Sequence, residues 1–191
     1  MRLVIAGSEG NIGRRLKAAF PDSIGIDVRR GADIVADLAT VDFSRAVIAE
    51  ALTRADAVVH LATSADPDVP DDIHWQAVAN GARLFAACAH AGVPRIVVAS
   101  SDWAEPKNGM TINAYGHSKR VMEALSAMYS LAPGRDAVAL RVGWVPVSAD
   151  EVPQAPGWLR DNYWDDARLL TEFRRALGLT ADDQLRAGSP P

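Results

Sequence analysis

The sequence contains only one cysteine, Cys88, and it has neither a long basic run nor an apolar run of membrane-spanning length. A lone cysteine cannot form an internal disulfide, and its place among alanines is typical of a small buried side chain in a reducing compartment. The apolar run near the N-terminus, residues 3–6, is too short for a signal peptide or a bilayer span. We therefore expect a cytoplasmic protein with no membrane contact.

The charge of the chain excludes a broad class of partners. The net charge is −4 at pH 7, and no basic cluster exceeds the pairs Arg14–Arg15 and Arg29–Arg30, so a nucleic-acid surface is not expected. With 49% hydrophobic and 23% charged residues, the composition is that of an ordinary globular protein. The length predicts one domain, residues 1–180, followed by a disordered tail over residues 181–191.

Short apolar runs alternate with segments of helical periodicity along most of the chain. Such alternation predicts a doubly wound α/β fold, in which a parallel sheet of six to seven strands carries helices on both faces. The predicted strands are residues 3–6, 24–26, 33–35, 57–61, 96–99 and 137–142. The predicted helices after the first one, which follows Gly13, are about 42–52, 73–91, 113–130 and 165–177.

A glycine-rich turn follows the first predicted strand, with Gly7, Gly10 and Gly13 at a spacing of three. Such glycines permit a tight turn, the approach of backbone to a pyrophosphate and close packing of helix on strand. The same spacing also occurs in ordinary turns of α/β proteins. Asp27, at the end of the second predicted strand, is placed where a ribose-binding acid is expected, and it favours a dinucleotide site.

The identity of the dinucleotide depends on the charges around Asp27. A carboxylate accepts hydrogen bonds from a 2′-hydroxyl and repels a 2′-phosphate, whereas the neighbouring Arg29 and Arg30 could accommodate that phosphate. Because the acid holds the expected position at the strand end, we predict NAD, with NADP as the alternative.

A second motif lies in the predicted helix 113–130, where Tyr115 and Lys119 are four residues apart and share one face. An ammonium group beside a phenol lowers the phenol pKa and makes the tyrosine a usable general acid or base. Ser101, at the end of another predicted strand, could hydrogen-bond the same substrate oxygen. The alternative interpretation is an ordinary amphipathic helix in which Tyr115 packs and Lys119 is solvated.

These motifs together resemble the extended branch of the short-chain dehydrogenase/reductase superfamily, the NAD-dependent epimerase/dehydratase family. The resemblance spans roughly the first 145 residues and is strongest to the uronate dehydrogenases, which oxidise C1 of a hexuronic acid with NAD. The matching segments, in family order, are GSEGNIG (7–13), Asp27, ADL (36–38), VVHLA (58–62), Asn80–Gly81, ASS (99–101), YGHSK (115–119) and LRVG (140–143).

The resemblance implies a role for each matching residue. Ser101, Tyr115 and Lys119 would be the catalytic set, and Asn80 would support the lysine through water. The residues implied for the cofactor are Gly7, Gly10, Asn11, Ile12, Gly13, Asp27, Asp37, Leu38, Leu61, Ala62, Thr63, Tyr115 and Lys119. Those implied near the substrate are Ser64, Asp102, Trp103, Trp144 and Arg160. No metal is expected.

The segment after the LRVG motif departs from the family pattern. Trp144 stands where uronate dehydrogenases carry a small polar residue, and Arg160 is the candidate to bind a substrate carboxylate. The chain also ends at residue 191, where extended members continue, so we expect a reduced C-terminal substrate lobe. The resemblance further implies a homodimer formed through the helices at 73–91 and 113–130.

The function predicted from the sequence is that of an NAD-dependent oxidoreductase acting on a hydroxyl or carbonyl group of a sugar or sugar acid. Two alternatives remain open at this point. A shortened relative could bind NAD(H) as a sensor or scaffold with weak turnover, or the chain could be a sugar epimerase or dehydratase with an internal redox cycle.

Overall fold

A computed structural model describes residues 1–105 and 111–179, and its core is a six-stranded sheet in which every pairing is parallel. The strands are β1 (Leu3–Ala6), β2 (Ile24–Asp27), β3 (Ile34–Val35), β4 (Ala57–His60), β5 (Arg95–Ser101) and β6 (Asp136–Val142). Their order across the sheet is β3-β2-β1-β4-β5-β6. This is the doubly wound order of dinucleotide-binding folds, so the predicted fold class is confirmed.

Helices cover both faces of the sheet. They are α1 (Asn11–Ala19), α2 (Ala46–Thr53), α3 (Asp71–Ala91), α4 (Ala114–Tyr129), α5 (Gly157–Arg160) and α6 (Asp166–Ala176). Apolar residues of α2, α3 and α4 pack in one buried cluster with one face of β1 and β4, while α1 and α6 pack in a second cluster against the opposite face. The side chains of a strand alternate between the two faces, so Val4 enters the first cluster and Ile5 the second.

Local sequence explains where several of these elements begin and end. The central strands β1 and β4 are buried along their whole length, as expected for continuous apolar runs in a parallel sheet. Helix α4 is capped at its N-terminus by Asn113, whose side chain accepts a hydrogen bond of 3.0 Å from the Gly116 N–H. Helix α3 is capped at its C-terminus by Gly92, which has a left-handed φ of 74°.

The structure shifts some predicted boundaries. The third strand is only Ile34–Val35, and the helix predicted at 42–52 begins at Ala46. The segment after β6, predicted as a proline-rich loop, contains a 3₁₀ helix (Ala149–Gln154) and the short α5 before α6. The predicted tail, residues 181–191, lies outside the described residues, as does part of the loop between β5 and α4.

The sheet order creates a switch point beside β1. The chain leaves β1 toward β2 on one side, and it later returns to place β4 on the other side. Loops that follow these strands diverge at their carboxyl ends and leave a crevice, which is the usual ligand position in open α/β sheets.

Candidate active site

A cavity of about 610 Å³ lies at the carboxyl ends of β1, β4, β5 and β6. Its lining includes the glycine turn after β1 together with Ser101, Tyr115 and Lys119. The segment that follows β6, from Gly143 to Asn162, forms a further wall and contacts the turn, since the Asn11 amide donates to the Val145 carbonyl oxygen at 2.8 Å. The cavity therefore joins the predicted cofactor turn to the predicted catalytic residues, and its size is that of a small-molecule site.

The glycine turn has the shape that a pyrophosphate requires. Gly7 has a φ of 89°, and a Cβ there would lie 2.7 Å from the Ala62 nitrogen. A Cβ at Gly13 would lie 2.1 Å from the Gly7 carbonyl oxygen, so helix and turn are in direct backbone contact. Gly10 caps α1 without a side-chain hydrogen bond, which leaves the first-turn N–H groups of the helix available to an anion.

Asp27 ends β2 beside this turn, and its carboxylate is buried. One oxygen accepts a hydrogen bond of 2.9 Å from the Glu9 N–H, and the other accepts one of 3.0 Å from the Arg29 N–H. Each carboxylate oxygen can accept a further hydrogen bond, as a ribose hydroxyl would require. The Arg29 guanidinium donates to the Glu9 carbonyl oxygen at 2.7 Å.

The two further residues predicted for the adenine end lie just after β3. Asp37 is exposed and accepts a hydrogen bond of 2.9 Å from the Ala39 N–H, while Leu38 is buried. Neither residue lines the cavity, and Asp27 also lies outside its lining. The three residues therefore extend the predicted cofactor surface past the cavity, along the edge formed by β2 and β3.

Ser101, Tyr115 and Lys119 come together in the cavity lining, and all three residues are buried. The Ser101 hydroxyl lies close enough to the Tyr115 phenol to act on its pKa. The Lys119 Nζ lies 5.0 Å from the centroid of the Tyr115 ring. The helical spacing thus brings the phenol and ammonium groups to one place, and the end of β5 supplies the hydroxyl.

The lysine is held by the segment after β4. Its Nζ donates to the Thr63 Oγ1 at 2.8 Å and to the Ser64 carbonyl oxygen at 3.3 Å. Burial lowers the pKa of Lys119 to about 8. Burial also raises the pKa of Tyr115, and the Ser101 hydrogen bond only partly opposes that effect. The expected lowering of the tyrosine pKa is therefore not found, because the ammonium binds Thr63 and Ser64 rather than the phenol oxygen.

The lowered pKa of Lys119 predicts a pH-dependent stability. An unfolded lysine titrates near 10.5, so between pH 8 and 10.5 the unfolded chain keeps a proton that the folded chain has lost. The free energy of unfolding then rises with pH, and Lys119 contributes about 1 kcal/mol between pH 7 and pH 9. Urea denaturation at the two pH values should show that Lys119→Met lacks this contribution.

Lys17→Met is the matched control for that measurement. Lys17 is half-buried on α1, forms a 2.7 Å ion pair with Asp33 and does not line the cavity. The Lys17→Met control should keep the rise in the free energy of unfolding between pH 7 and pH 9 that Lys119→Met loses. Equal pH dependence in the wild type and in Lys119→Met would contradict the assignment to Lys119.

Two buried histidines were not singled out by the sequence. His60 at the end of β4 and His74 on α3 are buried, and no hydrogen-bond partner for their ring nitrogens is found among the described residues. Burial, assisted by the Lys119 charge, lowers the pKa of His60 to about 4, so its imidazole is neutral at pH 7. The His74 ring meets the Tyr115 ring edge-on, with 5.6 Å between the centroids, so the histidine contacts the tyrosine through packing.

The segment after β6 forms the wall opposite the catalytic residues. The Trp144 N–H donates to the Asn162 carbonyl oxygen at 2.7 Å, and the Trp164 N–H donates to the Trp144 carbonyl oxygen at 2.8 Å. These bonds turn the chain back on itself and place Trp158 and Leu159 in the cavity lining.

One arginine ties this wall to the glycine turn. The Arg15 guanidinium donates to the Asn11 carbonyl oxygen at 2.9 Å, to the Pro146 carbonyl oxygen at 2.9 Å and to Asp166 at 2.7 Å. It also contacts the side-chain oxygen of Asn11, whose amide nitrogen donates to the Val145 carbonyl oxygen at 2.8 Å. A single side chain therefore joins α1, the post-β6 wall and the start of α6.

Loss of this connection should destabilise the fold. Arg15→Ala removes several hydrogen bonds to partly buried carbonyl groups, and we expect the free energy of unfolding to fall by about 1–3 kcal/mol. The neighbouring Arg14 is exposed and donates only to the Glu9 carbonyl oxygen, so Arg14→Ala should cost less than about 0.5 kcal/mol. Urea denaturation of both variants measures the difference; equal losses would contradict the role of Arg15.

The structure brings most of the predicted residues to one cavity. The predicted residues that line it are Gly7, Gly10, Asn11, Ile12, Gly13, Leu61, Thr63, Ser101, Asp102, Trp103, Tyr115, Lys119 and Trp144. Ala62 and Ser64 lie next to the lining, and the half-buried Asn80 lies further along α3. Arg160 is exposed and does not line the cavity.

Several lining residues were missed by the sequence reasoning. They are Ala65, Asp66 and Pro67 after β4, and Val145, Pro146, Val147, Glu151, Trp158, Leu159 and Asn162 after β6. The first three follow a strand end directly, so their position in the chain could have identified them. The others depend on long-range backbone pairing, which leaves no local signal.

Two kinds of feature are absent from the described ranges, 1–105 and 111–179. No group of three or more His, Cys, Asp or Glu side chains in these ranges could hold a metal ion. No helix in them is long and apolar enough to cross a bilayer.

The fold and this cavity define a dinucleotide-binding α/β protein with a serine, tyrosine and lysine beside the cofactor turn. A family model described as "NAD dependent epimerase/dehydratase family" matches residues 3–145, and the chain belongs to that family. The resemblance inferred from the motifs is therefore confirmed, and NAD is confirmed as the cofactor class of the family.

Individual relatives are more distant. The L-arabinose 1-dehydrogenase (NAD(P)(+)) of Haloferax volcanii is 26% identical, over 95% of this chain and 78% of its own length. A mutated uronate dehydrogenase is 24% identical with a TM-score of 0.59, over 74% of this chain and 58% of its own. An NAD-bound short-chain dehydrogenase/reductase superfamily protein from Agrobacterium tumefaciens is 21% identical with a TM-score of 0.65, over 99% and 63%. The chain thus spans less than two thirds of the solved structures that it matches.

Proposed function

We propose that this chain is an NAD-dependent oxidoreductase of the short-chain dehydrogenase/reductase type that acts on a hydroxyl or carbonyl group of a sugar or sugar acid. The observation that carries the proposal is the meeting of Ser101, Tyr115 and Lys119 in the cavity that begins at the glycine turn. Membership in an NAD-dependent family and the similarity to an arabinose dehydrogenase support the same conclusion.

The residues present fit NAD. Gly7 and Gly13 leave a turn that any Cβ would obstruct, and the uncapped start of α1 offers N–H groups to a pyrophosphate. The buried Asp27 carboxylate retains acceptor capacity for the adenosine ribose hydroxyls. When bound, the nicotinamide supplies the hydride acceptor for an alcohol or the hydride donor for a carbonyl compound.

The chemistry assigned to the chain itself is proton transfer. In the reductive direction, the Tyr115 phenol gives its proton to the carbonyl oxygen and becomes a phenolate; in the oxidative direction, the phenolate takes the proton of the substrate hydroxyl and becomes the phenol. The Ser101 hydroxyl, which lies beside the phenol, holds the same substrate oxygen. The Lys119 ammonium lies 5.0 Å from the centroid of the Tyr115 ring and is oriented by Thr63.

The test is formation of NADH, followed by its absorbance, when purified protein is mixed with NAD and a panel of aldoses and uronic acids. Turnover with at least one sugar that requires Tyr115 is expected. NAD binding without turnover on any member would instead favour an NAD(H) sensor or scaffold. Co-purified NAD with sugar conversion and no net NADH would favour an epimerase or dehydratase.

A homodimer in the cytoplasm is part of the same proposal. Helices α3 and α4 pack side by side and present exposed apolar side chains, including Trp75, Val121 and Met128. Pairing of these surfaces across a two-fold axis would bury them. Sedimentation at micromolar concentration should give twice the chain mass of 20.4 kDa, and a monomer mass would contradict the dimer.

A further inference from the structure

The charge of the cavity lining bears on which sugar can bind. The lining includes three acidic residues, the exposed Asp66 and Glu151 and the half-buried Asp102, one from each of the segments after β4, β5 and β6. The only cationic side chain among the lining residues that the structure describes is Lys119. Acidic side chains therefore outnumber cationic ones among the described lining residues.

Lys119 is not free to neutralise an anionic substrate. Its Nζ is committed to Thr63 and to the Ser64 carbonyl oxygen, and the side chain is only 3% exposed. Burial already disfavours its charged form, with a pKa of about 8. The ammonium also lies beside the Tyr115 ring, 5.0 Å from its centroid.

Three arginines on elements that flank the cavity are engaged with other groups. Arg15 binds Asp166 and backbone carbonyl groups. Arg141 binds Glu123 and Glu105, and Arg168 lies 4.9 Å from the Trp164 ring centroid. Arg160, the residue predicted to hold a substrate carboxylate, is exposed and outside the lining.

Several other lining residues are aromatic or apolar. Trp103, Trp144 and Trp158 all line the cavity, together with Val145 and Leu159. Indole faces pack well on the C–H face of a sugar ring, and carboxylates accept hydrogen bonds from sugar hydroxyls. An additional carboxylate or phosphate would instead be placed near like charges without a partner.

From these contacts we infer that the substrate is an electrically neutral aldose, and that the site rejects sugar acids and nucleotide sugars. The inference rests on the proposed function, because it concerns the same cavity. It narrows the substrate class from sugars and sugar acids to sugars without a charged substituent. It also changes the role expected of the post-β6 segment, which supplies aromatic faces and the Glu151 carboxylate in place of an arginine.

The test compares sugars that differ at one carbon. D-galactose and D-galacturonate, like D-glucose and D-glucuronate, differ only in the group at C6. We expect kcat/KM for NADH formation to be about 100-fold higher for the better neutral sugar than for its uronic acid, which is the ratio typical of leaving one buried charge unpaired. Equal or higher kcat/KM for either uronic acid would overturn the inference while leaving the proposed function intact.

A variant that removes the charge of Glu151 tests whether this carboxylate causes the preference for neutral sugars over uronic acids. In the wild type the Glu151 side chain accepts from the Ser148 N–H at 2.9 Å, and glutamine can keep that hydrogen bond while losing the charge. Glu151→Gln should shift the uronate-to-aldose ratio of kcat/KM about tenfold toward the uronate. Asp150→Asn, one residue away and outside the lining, should leave the ratio within about twofold.

If turnover is absent, binding measurements separate the proposed oxidoreductase function from the inferred preference for neutral sugars. No NADH formation with any sugar would refute the proposed function, and titration of the protein–NADH complex with the same pairs would then decide the inference. Tighter binding of the neutral member supports it. Equal binding of the two members, tighter binding of the uronate, or no binding of either sugar overturns it.

Discussion

Replacing Tyr115 with phenylalanine is expected to lower kcat about 1,000-fold on any sugar that the protein turns over. The phenol oxygen is the only atom removed, and it is the group that exchanges a proton with the substrate oxygen in the proposed chemistry. General acid–base groups contribute about 10²- to 10⁴-fold to rate. The ring remains, so its edge-on contacts with His74 and Trp103 should persist, and the melting temperature should change little.

Tyr163→Phe is the matched control for this prediction. Tyr163 is half-buried beside Trp144, 6.0 Å away between ring centroids, and its side chain does not line the main cavity. The Tyr163→Phe variant should keep kcat within about threefold of the wild type, because it changes a residue outside the cavity lining. Retention of full activity by Tyr115→Phe would refute the proposed mechanism, whatever the substrate.

The pKa of Tyr115 is shifted in the direction opposite to the one that the sequence predicted. Burial raises the pKa of the phenol in this structure, and Lys119 binds Thr63 and Ser64 rather than the phenol oxygen. The sequence predicted the opposite shift, because helical spacing reveals that two side chains share a face but not how deeply they are buried. Burial therefore opposes ionisation of the phenol in this structure.

The parts of the fold that the sequence predicted are those dictated by local pattern. The continuous apolar runs of β1 and β4 required burial on both faces, and the glycine spacing required a turn in close backbone contact. Asp27 and Ser101 were identified because parallel strands bring their carboxyl ends to one edge. The length of the edge strand β3 was overestimated by one residue, because the strand is Ile34–Val35 rather than 33–35. Within it, Ile34 is buried and Val35 is exposed.

The substrate wall could not be predicted in the same way. Its course is set by hydrogen bonds between Trp144, Asn162 and Trp164, which are distant in sequence. Neither helical nor strand periodicity records such a pairing, so Arg160 was selected by its charge rather than by its position. The same pairing turns Trp158 and Leu159 toward the cavity, and it leaves Arg160 exposed.

Gly13→Ala tests the contact on which the whole cofactor turn depends. The added Cβ would lie 2.1 Å from the Gly7 carbonyl oxygen and 2.7 Å from the Ser8 carbonyl carbon. Both are backbone atoms, so relief requires α1 to move away from the turn and away from the anion site at its N-terminus. We expect NAD affinity measured by calorimetry to fall about 100-fold, the equivalent of about 3 kcal/mol of overpacking.

The control for the same substitution is Gly157→Ala on α5, where an added Cβ meets no atom within 4 Å. It should leave NAD affinity unchanged and slightly favour its helix, because alanine loses less backbone entropy than glycine. If Gly13→Ala bound NAD as tightly as Gly157→Ala, the start of α1 could not be the pyrophosphate site. The Tyr115 result would then have to be explained by a different arrangement of cofactor and substrate in the cavity.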